Sequence, residues 1–257
     1  MRHSQIPKVI HYCWFGHNPL PPMAIRCIDS WKKYLPDYEI KEWNESNFDI
    51  SINPYVEEAY YKKKYAFVSD YARFWVLYNH GGIYFDVDVE LLKPIDDIVA
   101  QGPFMGLENF EPPYKYRDLV AAPAAGLGMA TYPGLDVIKD MLNYYNDKHF
   151  ISSKGEIQYK TIVLIAADIL RDRGHWIDPE NITNCSGIYL YPEEYFNPKR
   201  LATGQITITE NTRSVHHYAG TWVNHKKRKG FAMRWERFTN LALRLALNVK
   251  RSLIRRH

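Results

Sequence analysis

Residues Ala66 to Leu92, AFVSDYARFWVLYNHGGIYFDVDVELL, join two different hydrophobic periods through a pair of glycines. From Ala66 to His80 the apolar residues Phe67, Phe74, Leu77 and Tyr78 recur at helical spacing, and Gly81-Gly82 marks the stop. From Ile83 the period is two. Ile83, Phe85, Val87 and Val89 point one way, and Tyr84, Asp86, Asp88 and Glu90 point the other, so a strand carrying D-x-D is expected as far as Lys93-Pro94. Three carboxylates on one strand face repel each other unless a cation or hydrogen-bond donors compensate them. Asp70 and Arg73, three apart on the helix, share a face that can meet this polar side. A hard divalent ion takes oxygen ligands and commonly bridges one or two carboxylates to substrate phosphates. D-x-D alone is common, and most instances are solvated; its company here makes it specific.

The flanking segments set the architecture. Ile6 to Phe15 reads as a first strand closed by Gly16, and Met23 to Tyr34 as a helix with Pro21-Pro22 near its start. Tyr38 to Trp43 reads as a second strand and Asn53 to Lys64 as a helix. Strand, helix, strand, helix argues an α/β sheet with mainly parallel strands, whose ligands bind beyond the strands' carboxyl ends. Trp14 stands at such an end. Further on, Gly102 to Glu111 suggests a strand and loop, Leu135 to Asp147 a helix, and Lys160-Thr161 leads a helix to Leu170. Ile206 to Glu210 and Ser214 to Tyr218 alternate like strands and lead into H-H-Y-A-G-T-W, residues 216–222.

At 257 residues the chain can bury a full core, and one large domain is expected. Three widely spaced cysteines with no C-x-x-C indicate neither a disulfide framework nor a zinc site. The N-terminus lacks the apolar core of a signal peptide, and no run is long enough to span a bilayer. The protein is expected in the cytoplasm, or peripheral on the inner face of the cell membrane. Net charge is a mild +4, but residues 226–257 hold eleven Lys/Arg against Glu236 alone, leaving 22 basic and 28 acidic residues elsewhere. A domain of residues 1–225 and a basic amphipathic helix of residues 226–257 are therefore expected, the helix lying on anionic lipid with Trp235 and Phe238 buried.

S-D-x-x-R followed by G-G-x-Y-x-D-x-D resembles the DXD sugar transferases of glycosyltransferase family 32. These include bacterial capsular polysaccharide and lipopolysaccharide enzymes and yeast initiating mannosyltransferases, with clostridial toxin glucosyltransferases as distant relatives. I-H-x-x-W-x-G, from Ile10 to Gly16, resembles the family's opening motif, in which the tryptophan stacks on the nucleotide base. The resemblance runs from about Ile6 to Trp222 and departs from the family pattern in the Ala- and Gly-rich segment 117–129. It implies a GT-A type, Rossmann-like mixed sheet flanked by helices.

The reaction implied is transfer of a hexose, with retention, from a nucleotide sugar (UDP-sugar favoured) to a glycan or lipid-linked glycan acceptor in surface polysaccharide synthesis. Asp88 would bind metal directly, Asp86 would hold ribose or metal, and Asp70 and Arg73 would hydrogen-bond the donor. His217 is chosen over His216 because H-Y-x-G resembles the metal-binding histidine segment of related enzymes. Imidazole among oxygen ligands favours Mn²⁺ over Mg²⁺. Trp14 and Trp222 would contact the nucleotide, and Thr221 metal or phosphate. Covalent and front-face routes to retention both stay open.

Two other classes compete. A haloacid-dehalogenase phosphohydrolase also uses D-x-D, but on its first strand and with Thr or Val where Glu90 stands. A non-catalytic basic protein binding nucleic acid or membrane explains only the tail; no nucleic-acid partner is expected.

Overall fold

The computed structural model describes residues 5–110, 119–158, 160–201 and 203–219. In chain order they form β1 (Val9–Cys13), α1 (Pro22–Tyr34), β2 (Glu39–Trp43), α2 (Pro54–Tyr61) and α3 (Tyr65–His80). Then come β3 (Gly82–Tyr84), β4 (Val89–Leu91), α4 (Asp96–Val99), β5 (Phe104–Asn109), β6 (Ala121–Pro123) and β7 (Met129–Thr131). Last are α5 (Asp136–Asn143), α6 (Ile162–Asp172), β8 (Thr183–Cys185), β9 (Ile188–Tyr191), α7 (Glu193–Phe196) and β10 (Ser214–His216).

The main sheet runs β2-β1-β3-β7-β5-β9-β8, with β6 added beside β5. β1 pairs in parallel with β2 and β3, and β5 with β9. β7 lies antiparallel to both β3 and β5, so β2, β1, β3, β5 and β9 all point the same way. Their carboxyl ends therefore line one edge, where Trp14, Asn44, Asp86, Asn109 and Glu193 follow. The mixed, mainly parallel α/β sheet expected from the element order is what forms.

Alternation along the strands feeds two cores. Cys13, Tyr84, Met105, Met129 and Leu190 face a layer that includes Phe74 and Leu77 of α3, Ile138 of α5 and Ile165 of α6. Ile10, Tyr12, Ile83, Phe104, Ala130 and Tyr191 face Ile28 and Trp31 of α1 and Phe196 of α7. Burial of this apolar surface, at roughly 25 cal/mol per Å², drives the assembly. The three cysteines are free and buried, and no helix among the described residues is long and apolar enough to cross a membrane.

His11 ties the first motif to the glycine stop. Its Nε2–H donates to Gly81 O (2.9 Å) and its Nδ1 accepts from Trp43 Nε1 (3.1 Å). Gly82 has φ +96°, and a Cβ there would lie 2.6 Å from Val9 O; only glycine lets β3 enter this close beside β1.

Two expectations need correction. The D-x-D is not inside a continuous strand: β3 ends at Tyr84, Asp86 N–H turns to Gly126 O (2.9 Å), and Val89 N–H closes a turn on Asp86 O (3.0 Å). β4 then pairs with β10 in a separate two-stranded ribbon. The alternation persists through the break because Phe85 and Val87 stay buried in the same core as Ile83 and Val89. Ile206 to Glu210 forms no strand; its one ladder contact is an isolated Lys199–Ile206 bridge, and Ile206 and Ile208 are exposed. β6, β7, β8 and β9 were not foreseen. The basic helix expected at 226–257, Thr221 and Trp222 lie outside the described residues.

Candidate active site

Arg73 is the centre of one half of the site. Helical spacing on α3 puts it one turn from Ser69 and Asp70, and packing buries it to 4 % exposure. Its Nε–H donates to Ser69 O (3.1 Å) and its Nη2–H to Asp70 Oδ1 (2.9 Å). The same guanidinium reaches both Asp86 oxygens, at 3.4 Å from Nη1 and 3.3 Å from Nη2. It also lies over the Tyr84 ring, 4.8 Å from the centroid, and Tyr84 Oη–H donates to Asp86 Oδ1 (3.1 Å).

Burial and these charges act in opposite directions. Burial pushes Asp70 up, to about 6, against the pull of Arg73, and Asp86 adds to the rise. Burial alone would lower Arg73, but Asp86, Tyr84 and Asp70 raise it and keep it charged. One cation thus serves two carboxylates, leaving net negative charge at the strand edge. The Arg73 guanidinium is engaged by Ser69, Asp70 and Asp86 and braces the two carboxylates from within the fold.

Gly126 completes this half, and the sequence reading missed it. A Cβ at this position would sit 2.0 Å from Asp86 Oδ2 and 3.0 Å from Arg73 Nη1. Its carbonyl also accepts the Asp86 N–H. The only signal was its place in the Ala- and Gly-rich segment that departs from the family pattern.

Asp88 belongs to the other half, built on β4 and β10. Antiparallel register sets His216 opposite Val89, and His216 Nε2 lies 3.2 Å from Asp88 Oδ1. Ala219 N–H donates to Asp88 Oδ2 (2.7 Å), and His217 N–H to Asp88 O (2.9 Å). Burial would raise Asp88, but His216 and the Ala219 N–H outweigh it and hold the carboxyl low. Burial would lower His216, and the Asp88 charge and hydrogen bond reverse that and raise it.

The structure therefore sets His216, not His217, against the second aspartate. His217 turns to the other side of the extended chain and pairs its Nε2 with Glu90 Oε2 at 2.7 Å. The physical reason is the two-residue alternation of β10 at this register.

Around His216 lies a polar shell that no sequence motif announced. The Tyr218 ring centroid is 4.2 Å from that of His216. Tyr218 has φ +54°. Its hydroxyl accepts from Asn197 Nδ2 (2.7 Å) and donates to Glu108 Oε1 (3.3 Å). Asn109 Nδ2 donates to Glu193 Oε2 (2.8 Å). His216 Nδ1, Asn109 Oδ1 and Asn197 Oδ1 are buried with no hydrogen-bond partner among the described residues.

Trp14 stands apart from both halves, beyond the end of β1. Its indole N–H donates to Asn18 O (2.6 Å). It lines a cleft of about 470 Å³ with His17, Asn18, Glu42, Asn44 and Glu45. A flat aromatic wall beside amide and carboxylate acceptors suits a planar base.

Among the described residues no three His, Cys, Asp or Glu side chains converge as a ready metal cage. The pair Asp88 and His216 nevertheless fits a divalent ion that shares its remaining positions with phosphate oxygens and water. The Asp88 carboxylate Oδ1 and the His216 Nε2 beside it, 3.2 Å apart, are an N/O donor pair of the kind Mn²⁺ accepts.

Residues 21–105 match the family model described as glycosyltransferase sugar-binding region containing DXD motif. The chain is 27 % identical over 177 residues to inositol phosphoceramide mannosyltransferase 1 of Schizosaccharomyces pombe, covering 65 % of this chain and 50 % of that protein. It thus spans half the length of that relative. An uncharacterized glycosyltransferase of Acanthamoeba polyphaga mimivirus is 27 % identical over 235 residues, 86 % of each chain. A solved structure titled PaToxG glycosyltransferase overlays 66 % of this chain and 70 % of its own with a TM-score of 0.45 at 21 % identity, a loose likeness. The matched family region contains both Asp70–Arg73 and Asp86–Asp88, and the relatives support an enzyme of the transferase class that moves sugars.

Proposed function

We propose that the protein is a metal-dependent glycosyltransferase of the GT-A type, close to glycosyltransferase family 32. It would move a hexose from a nucleoside-diphosphate sugar to a glycan hydroxyl. The observation that carries the reading is the division of the D-x-D between two supports at one sheet edge. Arg73, Tyr84 and Gly126 fix Asp86, while His216 and the Ala219 N–H fix Asp88. Preorganised groups aimed at developing charge are the largest single source of catalysis in such reactions.

In this reading the base lies against Trp14, Asp86 takes ribose or donor-sugar hydroxyls, and Asp70 holds Arg73 in place. A divalent cation at Asp88 and His216 would neutralise the departing diphosphate as Lewis acid and template. Mn²⁺ is favoured over Mg²⁺ by the imidazole. The phosphohydrolase alternative loses support because Asp86 is bound by a guanidinium and a phenol, which blunts a carboxylate as nucleophile. Turnover of a UDP-sugar panel with Mn²⁺, and its loss in EDTA, is the test; undiminished turnover in EDTA overturns the reading.

UDP as carrier, retention, a role in capsular polysaccharide or lipopolysaccharide synthesis and a lipid-linked acceptor are carried as proposals from the family resemblance. So is peripheral attachment of residues 226–257 to the inner face of the cell membrane, which rests on their basic surplus. Truncation after His225 should abolish co-sedimentation with anionic vesicles; equal sedimentation of both proteins discards the attachment.

A further inference from the structure

A histidine that ligates a metal is ordinarily oriented by a hydrogen bond from its second ring nitrogen to a carboxylate or carbonyl. His216 lacks that device, because its Nδ1 is buried with no hydrogen-bond partner among the described residues. The Asp88 contact at Nε2 fixes one corner of the ring and leaves its plane to packing. Tyr218 supplies the wall. Its ring centroid lies 4.2 Å from that of His216, with the planes inclined at 50°.

Tyr218 is itself anchored. Its hydroxyl accepts from Asn197 Nδ2 (2.7 Å) and donates to Glu108 Oε1 (3.3 Å). Glu108 stands on β5, opposite Ala122 of β6. Asn197 follows α7, is 1 % exposed, and donates its own N–H to Glu193 O (2.8 Å). The phenol thus ties the ribbon that carries His216 to the main sheet and to α7.

The backbone of Tyr218 serves the same aspartate. His217 N–H donates to Asp88 O (2.9 Å) and Ala219 N–H to Asp88 Oδ2 (2.7 Å). In an extended chain the second amide would lie about 7 Å beyond the first. Tyr218 instead adopts φ +54° and folds it back onto Asp88. A bulky side chain is held at positive φ only where surrounding contacts over-determine it. Glycine would make this turn without strain, so what tyrosine adds here is its anchored ring.

We infer that Tyr218 is a positioning residue: its ring sets the plane of His216, and its left-handed backbone sets the Ala219 N–H on Asp88. Both members of the pair that would hold a divalent cation are thereby ordered by one side chain. The inference rests on the metal-dependent glycosyltransferase reading and adds the residue that orders its metal pair.

The test uses the full chain, with Mn²⁺ titrated in the presence of UDP, and two variants. Tyr218→Phe keeps the ring and removes its anchors, whereas Tyr218→Gly keeps the turn and removes the ring. Loss of an outer-shell partner typically changes metal affinity by about 10–100-fold. Tyr218→Gly should therefore bind Mn²⁺ at least tenfold more weakly, and Tyr218→Phe should fall between it and the wild type. Thermal melts establish that each variant folds. A second readout needs no metal: ¹³C relaxation of the His216 ring, assigned with His216→Gln, should show mobility rising in the same order. Wild-type Mn²⁺ affinity in a folded Tyr218→Gly protein overturns the inference, because a purely structural tyrosine would lower the melting temperature alone. A His216 ring equally rigid in all three proteins overturns it too. If no protein binds Mn²⁺ but the ring loosens in the variants, the positioning of His216 stands and the metal-dependent reading is discarded instead.

Discussion

His216 Nε2 sits 3.2 Å from Asp88 Oδ1, while the neighbouring His217 faces Glu90. The two histidines are therefore separable by experiment. His216→Gln should reduce metal-dependent donor turnover on the order of a hundredfold, the usual cost of one electrostatic group in such a site. His217→Gln should cost only a few-fold. Calorimetric titration of Mn²⁺ and UDP into each variant checks the assignment, and a larger loss at His217 would return the role to it.

Gly126 offers a second test, because its missing side chain is what Asp86 occupies. Gly126→Ala would force Asp86 or Arg73 to move, a clash costing roughly 1–3 kcal/mol if it behaves like ordinary overpacking. Nucleotide-sugar affinity should fall at least tenfold, with Mn²⁺ binding at Asp88 much less affected. A thermal melt alongside the titration separates a shifted Asp86 from a lost fold. Unchanged affinity would show that Asp86 does not touch the donor.

The third prediction concerns pH and lies away from the site. His11 is 2 % exposed, and its nitrogens are engaged by Trp43 and Gly81 as a neutral ring. Burial lowers it to about 4 from an ordinary 6.5, the Gly81 bond only partly opposing, with His80 and Lys41 adding. In the unfolded chain the ring takes its proton near 6.5, before the folded protein does. Stability is therefore complete above pH 6.5 and falls as pH drops from 6.5 through 4. Between pH 7.5 and pH 5 His11 alone should cost about 2 kcal/mol, read as the difference between wild type and variant because Asp70, raised to about 6, acts in the opposite direction over the same interval. Urea denaturation at the two values measures it. His11→Gln should remove most of that dependence, and an unaltered slope in the variant would assign it elsewhere.

Much of this architecture was legible because single elements keep one period. α3 was expected over Ala66 to His80 and runs from Tyr65, and the glycine pair ends it as its chemistry demands. The break in the D-x-D strand was hidden for a physical reason. Phe85 and Val87 continue to feed the core on which Ile83 and Val89 also pack, so alternation survives where the hydrogen-bond ladder does not. β7 escaped because Met129–Ala130–Thr131 carries weak strand propensity and gains its place from pairing with β3 and β5. Which histidine meets Asp88 depends on the β4–β10 register, a long-range property that residue spacing does not encode. The Gly126 requirement is likewise set by a partner forty residues upstream in sequence, Asp86.

The ribbon of β4 and β10 also sets a schedule for the nascent chain. The Ala219 N–H that holds Asp88 lies 131 residues further along the sequence. At about 5–20 residues per second, a ribosome needs on the order of ten seconds to make that interval. Throughout it Asp88 has neither His216 nor its backbone donor, and Asp86 gains its own partner Gly126 only forty residues after it is made. An unfinished polypeptide therefore holds only half of the constellation. The last described strand thus completes the constellation only after every described strand of the main sheet has been synthesised.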